Sequence, residues 1–315
     1  MAGGNLTRVV EFILLGLTEN PSLQIPLFVL FLLVYIITVL SNSCIVTLIC
    51  TSSRLHTPMY FLLSNLSFVD LCYSSTITPI MLANFLSERK AISLVGCVAQ
   101  MFSFVFLGGA DILLLGIMAY DRYVAICNPL LYRVTMTKHA CIFLVAGAYF
   151  GALLNALIHT SLTLTLSFCR SNKITHFYCD VPPLLKLSCT NIRTNEAVLI
   201  FVGGGVMAAS LFVVIISYTF IISAVLRTRS SEGRHRLFST CSAHFLCVTL
   251  FFSTSLFMYV RPTSSYVMDQ DRVASVFYTV VIPMLNPLIY SLRNQQVKES
   301  VRDVVHRVHL FRKRA

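Results

Sequence analysis

The chain is poor in charge. Of its 315 residues 12% are charged, and the 13 Asp and Glu are outnumbered by 24 Lys and Arg. A soluble globular protein carries about 25% charged residues. At a mean hydropathy of +0.78 this chain lacks the charge to cover a water-facing surface. A soluble enzyme is therefore excluded, and so is a disordered chain. Trp is absent. There is no HExxH, no GxSxG and no paired His within an apolar run, which counts against an intramembrane hydrolase. No internal repeat is visible, which counts against a transporter built from paired halves. The residues before the first apolar run include Glu11 and Glu19 and form no cleavable signal. The net charge of +11 would point to nucleic acid on a polar chain. On this one it points to basic loops against an anionic leaflet, with no nucleic acid partner.

What is present is apolar length. A bilayer-spanning helix needs about 20 mostly apolar residues. Seven stretches qualify, at about 26–50, 59–82, 97–119, 140–164, 197–226, 238–260 and 273–292. The last is the weakest, because Pro283 and Pro287 interrupt it. The expected fold is an all-α seven-transmembrane helix bundle, one domain over 1–315, with a short amphipathic C-terminal helix. Residues 1–25 form the outer N-terminus and 293–315 the cytoplasmic tail. The first span serves as a signal anchor.

Seven crossings put the termini on opposite sides of the plasma membrane. With the N-terminus outside, Arg54, Arg122, Arg133, Lys138, Arg227, Arg229, Arg234, Arg236 and the basic tail all fall inside. The positive-inside rule selects that orientation. The sequon Asn5-Leu6-Thr7 then faces outward, which makes Asn5 a glycosylation candidate. Asn65-Leu66-Ser67 lies within a span and is a chance match. Of 11 Cys, the ones left outside are Cys97, Cys169, Cys179 and Cys189. They can form two bridges in three ways, and residue spacing does not choose among them.

Some residues are out of place in lipid. Asp70 and Asp111 lie in mid-span, where a carboxylate is costly and faces the bundle interior. Either each is a protonated, hydrogen-bonded core acid, or the pair shares a Na⁺ or a proton near Asn42 and Asn286. Asp121-Arg122-Tyr123 ends the third span, and Asp121 can hold Arg122 in a charge-assisted pair. Pro287 frees a carbonyl and makes a hinge, after which Tyr290 can swing toward the core. Gly108-Gly109 and Gly203-Gly204-Gly205 allow either tight helix packing or room for a ligand. Beyond Tyr290, Val297, Val301, Val304 and Val308 recur at helical spacing among Lys and Arg, as in a helix lying on the inner leaflet. His176, Cys179 and Asp180 are metal-ligand types, but Cys179 is better explained by a disulfide, and no metal site is assigned.

The strings around these residues resemble the olfactory receptors, a family of rhodopsin-like (class A) G-protein-coupled receptors. LHTPMYFLLSNLSFVDLCYSS (Leu55–Ser75), MAYDRYVAIC (Met118–Cys127), RLFSTCSAH (Arg236–His244) and PMLNPLIYSLRN (Pro283–Asn294) carry the resemblance, together with Ser217-Tyr218. It implies no enzymatic activity and no cofactor beyond the sodium already raised. It implies disulfides Cys97–Cys179 and Cys169–Cys189. It further implies that a small, mostly apolar odorant enters the outer half of the bundle. The sixth span then swings out, Arg122 leaves Asp121 for a stimulatory olfactory-type G protein, and cAMP rises. Tyr218, Asn286, Pro287 and Tyr290 belong to that switch. By helical position the pocket candidates are Phe104, Val105, Gly108, Val202, Val206, Phe252, Ser255, Tyr259, Val276 and Thr279. This lining bears no charge and suits a neutral ligand. His159 is expected to be a core residue rather than a contact. A class A receptor for a non-olfactory small ligand is the alternative, and a small-solute transporter a more distant one.

Several positions depart from the family pattern. Ser41 stands where Gly is usual, Asp111 where Glu is common and Leu237 where Ala is usual. Phe252-Ser253 replaces Tyr-Gly, which removes a hydroxyl from the pocket floor. No acid opens the sixth span near Arg234–Arg236, so Arg122 has no cross-bundle salt bridge there.

Overall fold

The structure is a computed structural model, and it describes residues 10–18, 20–169, 171–228, 230–259, 268–293, 296–300 and 302. Four long helices come first: Pro21–Thr51, Pro58–Leu86, Leu94–Cys127 and Lys138–Leu164. The fifth runs from Arg193 to Arg227 and contains a π-helical turn at Leu199–Gly203. The sixth is Ser231–Tyr259. The seventh combines Met268–Val276, a second π-helical turn at Phe277–Val281, and Ile282–Arg293. The starts follow local chemistry. Asn20, Ser93 and Thr137 each accept a hydrogen bond from a first-turn amide, at 3.0, 3.0 and 3.2 Å. Pro21 and Pro58 occupy first-turn positions that need no donor.

Six of these helices are long and apolar enough to cross a membrane. The sixth is apolar only over His244–Met258. It is thus the sixth helix, rather than the proline-broken seventh, whose spanning signal is weakest. Its first turns carry Arg234, His235, Arg236 and hydroxyl residues that a lipid core would not accept. Large side chains cover the bundle's outside: Phe143 is 76% exposed, Phe201 78% and Phe212 64%. No soluble monomer keeps a belt of that kind. The polar groups lie inside, among them Asp70, Asp111 and Asn286.

The third helix is the hub and packs on the second, fourth and fifth. Its approach to the fifth requires a residue without a side chain. A Cβ on Gly116 would sit 2.6 Å from the Ser210 hydroxyl, which itself donates to the Ile112 carbonyl at 2.5 Å.

One end of the bundle is closed by a small sheet that an all-helical expectation did not contain. Strand β1 (Glu11–Leu14) lies between β2 (Ala91–Ser93, antiparallel) and β3 (Lys173–Ile174, parallel). Alternation puts Phe12 and Leu14 fully inside. They pack with Met101, Ile174 and Leu184 beneath the Cys97–Cys179 bridge that ties the third helix to the following loop. A second bridge, Cys169–Cys189, closes that loop on itself. Both pairings are those the resemblance implies. Phe12→Ala should cost about 3–5 kcal/mol, the usual loss for a buried Phe. A melt of the purified chain in detergent checks this, and an unchanged midpoint would mean that the sheet contributes nothing.

At the opposite end, 296–300 are helical, with Val297 and Ser300 buried. The Tyr60 hydroxyl donates to Gln296 at 2.8 Å. Val301, Val304, Val308 and Asn5 lie outside the described residues, as does the Tyr259 side chain.

Candidate ligand cavity and helix-end cluster

Beneath the disulfide-bridged loop lies a cavity of about 90 Å³. Engineered cavities of about 150 Å³ accept benzene, and drug-sized ligands need about 300–1,000 Å³. The space therefore suits a molecule of few heavy atoms. Of the expected residues, Phe104, Val105, Gly108, Val206 and Ser255 line it. They are joined by Tyr73, Gly109, Ile112, Met207, Phe251 and Tyr278, and by Asn155 and His159 of the fourth helix.

Val202, Phe252, Val276 and Thr279 are not part of the lining. The π-helical turns explain three of these misses. Each adds a residue to one turn and shifts the phase that regular spacing assumes. Gly203 and Gly204 therefore face the cavity in place of Val202. Tyr278 faces it in place of Val276 and Thr279, and the Thr279 hydroxyl turns back to the Ser275 carbonyl at 2.7 Å. On the sixth helix Phe251 shares a face with Ser255, and Phe252 packs edge-on behind it at 6.0 Å. His159, expected in the core, borders the cavity instead.

The lining also carries a charged residue type, contrary to expectation. The loop brings Asp180 to the cavity wall. The Gln100 side chain holds this loop by accepting from the Cys179 amide at 2.9 Å. Asp180 accepts from the Val181 amide at 2.7 Å. Nearby, the Tyr178 and Tyr278 hydroxyls meet at 2.7 Å, and Tyr278 meets Ser275 at 3.0 Å. Ser275 also meets His176 Nε2 at 3.0 Å and donates to the Asp271 carbonyl at 2.7 Å. Because Ser275 spends its proton on that carbonyl, His176 Nε2 must be the donor to it. The loop is thus pinned to the seventh helix by these neutral groups and by Arg272, whose Nε donates to the Thr175 carbonyl at 3.4 Å. Cys179 is bonded to Cys97 and cannot ligate a metal.

Burial, and then Arg272, push the His176 pKa down to about 3. The unfolded chain takes up this proton near pH 6.5, the folded chain only near pH 3. Stability is therefore complete above about pH 6.5 and lost as pH falls through that window, by about 2 kcal/mol at pH 5. Melts in detergent at pH 7 and pH 5 should differ for the wild type and less so for His176→Gln. Equal pH slopes in the two would remove His176 from the account.

The other end of the bundle holds the expected switch residues. Asp121, 2% exposed, accepts from the Tyr132 hydroxyl at 2.8 Å. Burial, and then the Asp121 carboxylate, raise the Tyr132 pKa, which keeps that proton in place. Among the described residues no ion pair joins Asp121 to Arg122, so the expected pair is replaced by the Tyr132 contact. Tyr123 packs its ring on Phe220 at 5.5 Å. Tyr218 meets His244 Nδ1 at 2.7 Å, linking the fifth and sixth helices. The Tyr290 hydroxyl is buried beside the Cys247 thiol of the sixth helix.

Between the two ends, Asn286 donates to Asp70 at 2.9 Å, and Asn42 donates to the Pro283 carbonyl at 3.0 Å beside the Pro287 break. One carboxylate oxygen each of Asp70 and Asp111, and the amide oxygens of Asn42 and Asn286, have no donor among the described residues. An all-oxygen set of this kind fits a hard cation.

The helix order and the capped end define the class. Squid rhodopsin's crystal structure superposes with a TM-score of 0.71 at 15% identity, over 92% of this chain and 87% of that one. The fold is the seven-helix fold of rhodopsin-like receptors. A family model described as olfactory receptor matches residues 31–308. Olfactory receptor 8U9 of Mus musculus is 55% identical over 97% of each chain. Olfactory receptor-like protein COR4 of Gallus gallus is 54% identical over 97% of this chain and 98% of its own. The chain belongs to the olfactory receptor family. It is accordingly a multi-pass membrane receptor for small molecules that couples to a G protein, and not an enzyme.

Proposed function

We propose that the chain is an odorant receptor of the plasma membrane that signals through a stimulatory olfactory-type G protein to raise cAMP. The mostly apolar cavity beneath the bridged loop supports this reading best. A small volatile bound there touches the third, fifth and sixth helices at once. It shifts the population toward an open state only to the extent that it binds that state better. Arg122, at the far end of the third helix, then meets the G protein, while Tyr218, Asn286, Pro287 and Tyr290 accommodate the shift of the sixth and seventh helices. The bridged end faces outward, because disulfides persist in oxidising compartments and the basic loops cluster at the other end. Asn5 is then accessible to glycosylation. Asp70, Asp111 and Asn286 would hold a sodium ion, which supplies the counter-charge for two buried carboxylates.

The test is expression of the full chain with that G protein, an N-terminal epitope stained on intact cells, and a screen of volatiles for cAMP. Staining without permeabilisation together with a cAMP rise is expected. A displayed chain with neither ligand-driven nor basal signalling would end the reading.

A further inference from the structure

We infer that Asn155 and His159 form the polar subsite of the cavity, and that it takes the oxygen of a small neutral carbonyl or hydroxyl compound. This rests on the receptor reading above and narrows its ligand class.

The two residues are one turn apart on the fourth helix and so share a face. They are 7% and 3% exposed, and both border the cavity. Neither side chain makes a hydrogen bond among the described residues, and the Asn155 amide oxygen is sealed from solvent without a partner. Buried polar side chains are ordinarily satisfied, so an unpartnered Asn155 amide beside a His159 ring on the same cavity wall calls for an occupant.

The surroundings keep that void open. A Cβ on Gly203 would lie 3.3 Å from His159 Nε2, and one on Gly109 would lie 3.8 Å from Asn155 Nδ2. Gly203 thus clears space beside the His159 tip, whereas Gly109 chiefly lets the third helix pack on Ala152, 3.3 Å from where its Cβ would sit. The Gly203 backbone is placed there by the π-helical turn.

The chemistry limits the guest. The Asn155 amide and the imidazole can both donate to a carbonyl or hydroxyl oxygen, and either can accept from a hydroxyl. A carboxylate guest would enter a small space that already borders Asp180. An ammonium guest would look to Asp180, whose oxygens are engaged by the Val181 amide and the Tyr178 hydroxyl. Phe104, Val105, Ile112 and Phe251 make much of the remaining wall apolar, which suits a short hydrocarbon body, while Tyr73, Ser255 and Tyr278 add hydroxyls.

The test uses the full-length receptor with its G protein and a surface epitope. The probes are 2-butanone, 2-butanol, butanal and 1-butanol beside butane, with butanoic acid and butylamine added. Oxygenated neutral probes should raise cAMP above their hydrocarbon parent. Asn155→Leu and His159→Phe should lose about ten-fold or more in potency for them, the loss expected when a buried polar partner goes missing. The response to butane should not fall. Gly203→Ala keeps both polar groups but narrows the space, and should weaken 2-butanone more than butanal. Displayed variants with wild-type potency overturn the subsite and leave the receptor reading standing. Preference for the acid or the amine overturns the ligand class. So does silence to the whole panel, and basal cAMP above that of Arg122→Ala then shows the receptor reading to survive.

Discussion

Arg122→Ala is expected to bring agonist-driven cAMP down to background while surface display stays near wild type. Arg122 is only 8% exposed, and it has no ion pair among the described residues. Asp121 beside it is engaged by Tyr132 of the following loop. The guanidinium thus acts on Asp121 at longer range, without closing an ion pair with it. Truncating one charged partner in a desolvated interface costs about 2–5 kcal/mol, or about 30- to 5,000-fold in affinity. Because no folded-state pair is broken, the change should not unfold the bundle. Tyr132→Phe serves as the companion variant. It releases Asp121 without touching Arg122, and should change basal signalling rather than abolish the response. If Arg122→Ala signals normally at wild-type display, the coupling role assigned to this end of the third helix is wrong.

The helix bundle was legible because its signals are local. Runs of about 20 apolar residues and the Asp121-Arg122-Tyr123 string need no knowledge of partners. Phe104, Val105 and Gly108 were legible as lining for the same reason: the third helix keeps regular spacing, so one face can be counted out. Val202, Val276 and Thr279 were misplaced where that regularity ends. A π-helical turn leaves no reliable mark in a single sequence, and it changes which residues share a face across it. Strand β1 was missed because four residues carry little periodic signal, and both of its partners are remote in the chain. Asp180 reaches the cavity wall through a bridge to the third helix, and residue spacing left its pairing open among three arrangements. His159 looked like a core residue because it stands alone within an uncharged span. Whether a polar side chain finds a partner depends on other helices, here on the glycine at 203.

Asp70→Leu should sharply lower surface display, whereas Asp70→Asn should preserve display and remove any sodium effect. The Asn286 amide donates to Asp70 at 2.9 Å, and leucine leaves that donor buried and unpaired at a cost of about 1–3 kcal/mol. Leucine also leaves Asp111 alone in the interior, where breaking a buried charged arrangement costs about 3–5 kcal/mol. Asparagine keeps an acceptor for Asn286 and removes one charge, so the need for a counter-ion goes with it. Exchanging sodium for choline at constant ionic strength should shift wild-type agonist potency by about 5-fold or more, the lower end of measured couplings between sites. The same exchange should leave Asp70→Asn and Asp111→Asn unmoved. A wild-type response indifferent to sodium but dependent on pH would assign the site a shared proton instead, since two neighbouring carboxylates in low dielectric cannot both stay charged without one or the other. Normal display of Asp70→Leu would contradict the burial argument itself, because it would mean that Asn286 and Asp111 find other partners when Asp70 is gone.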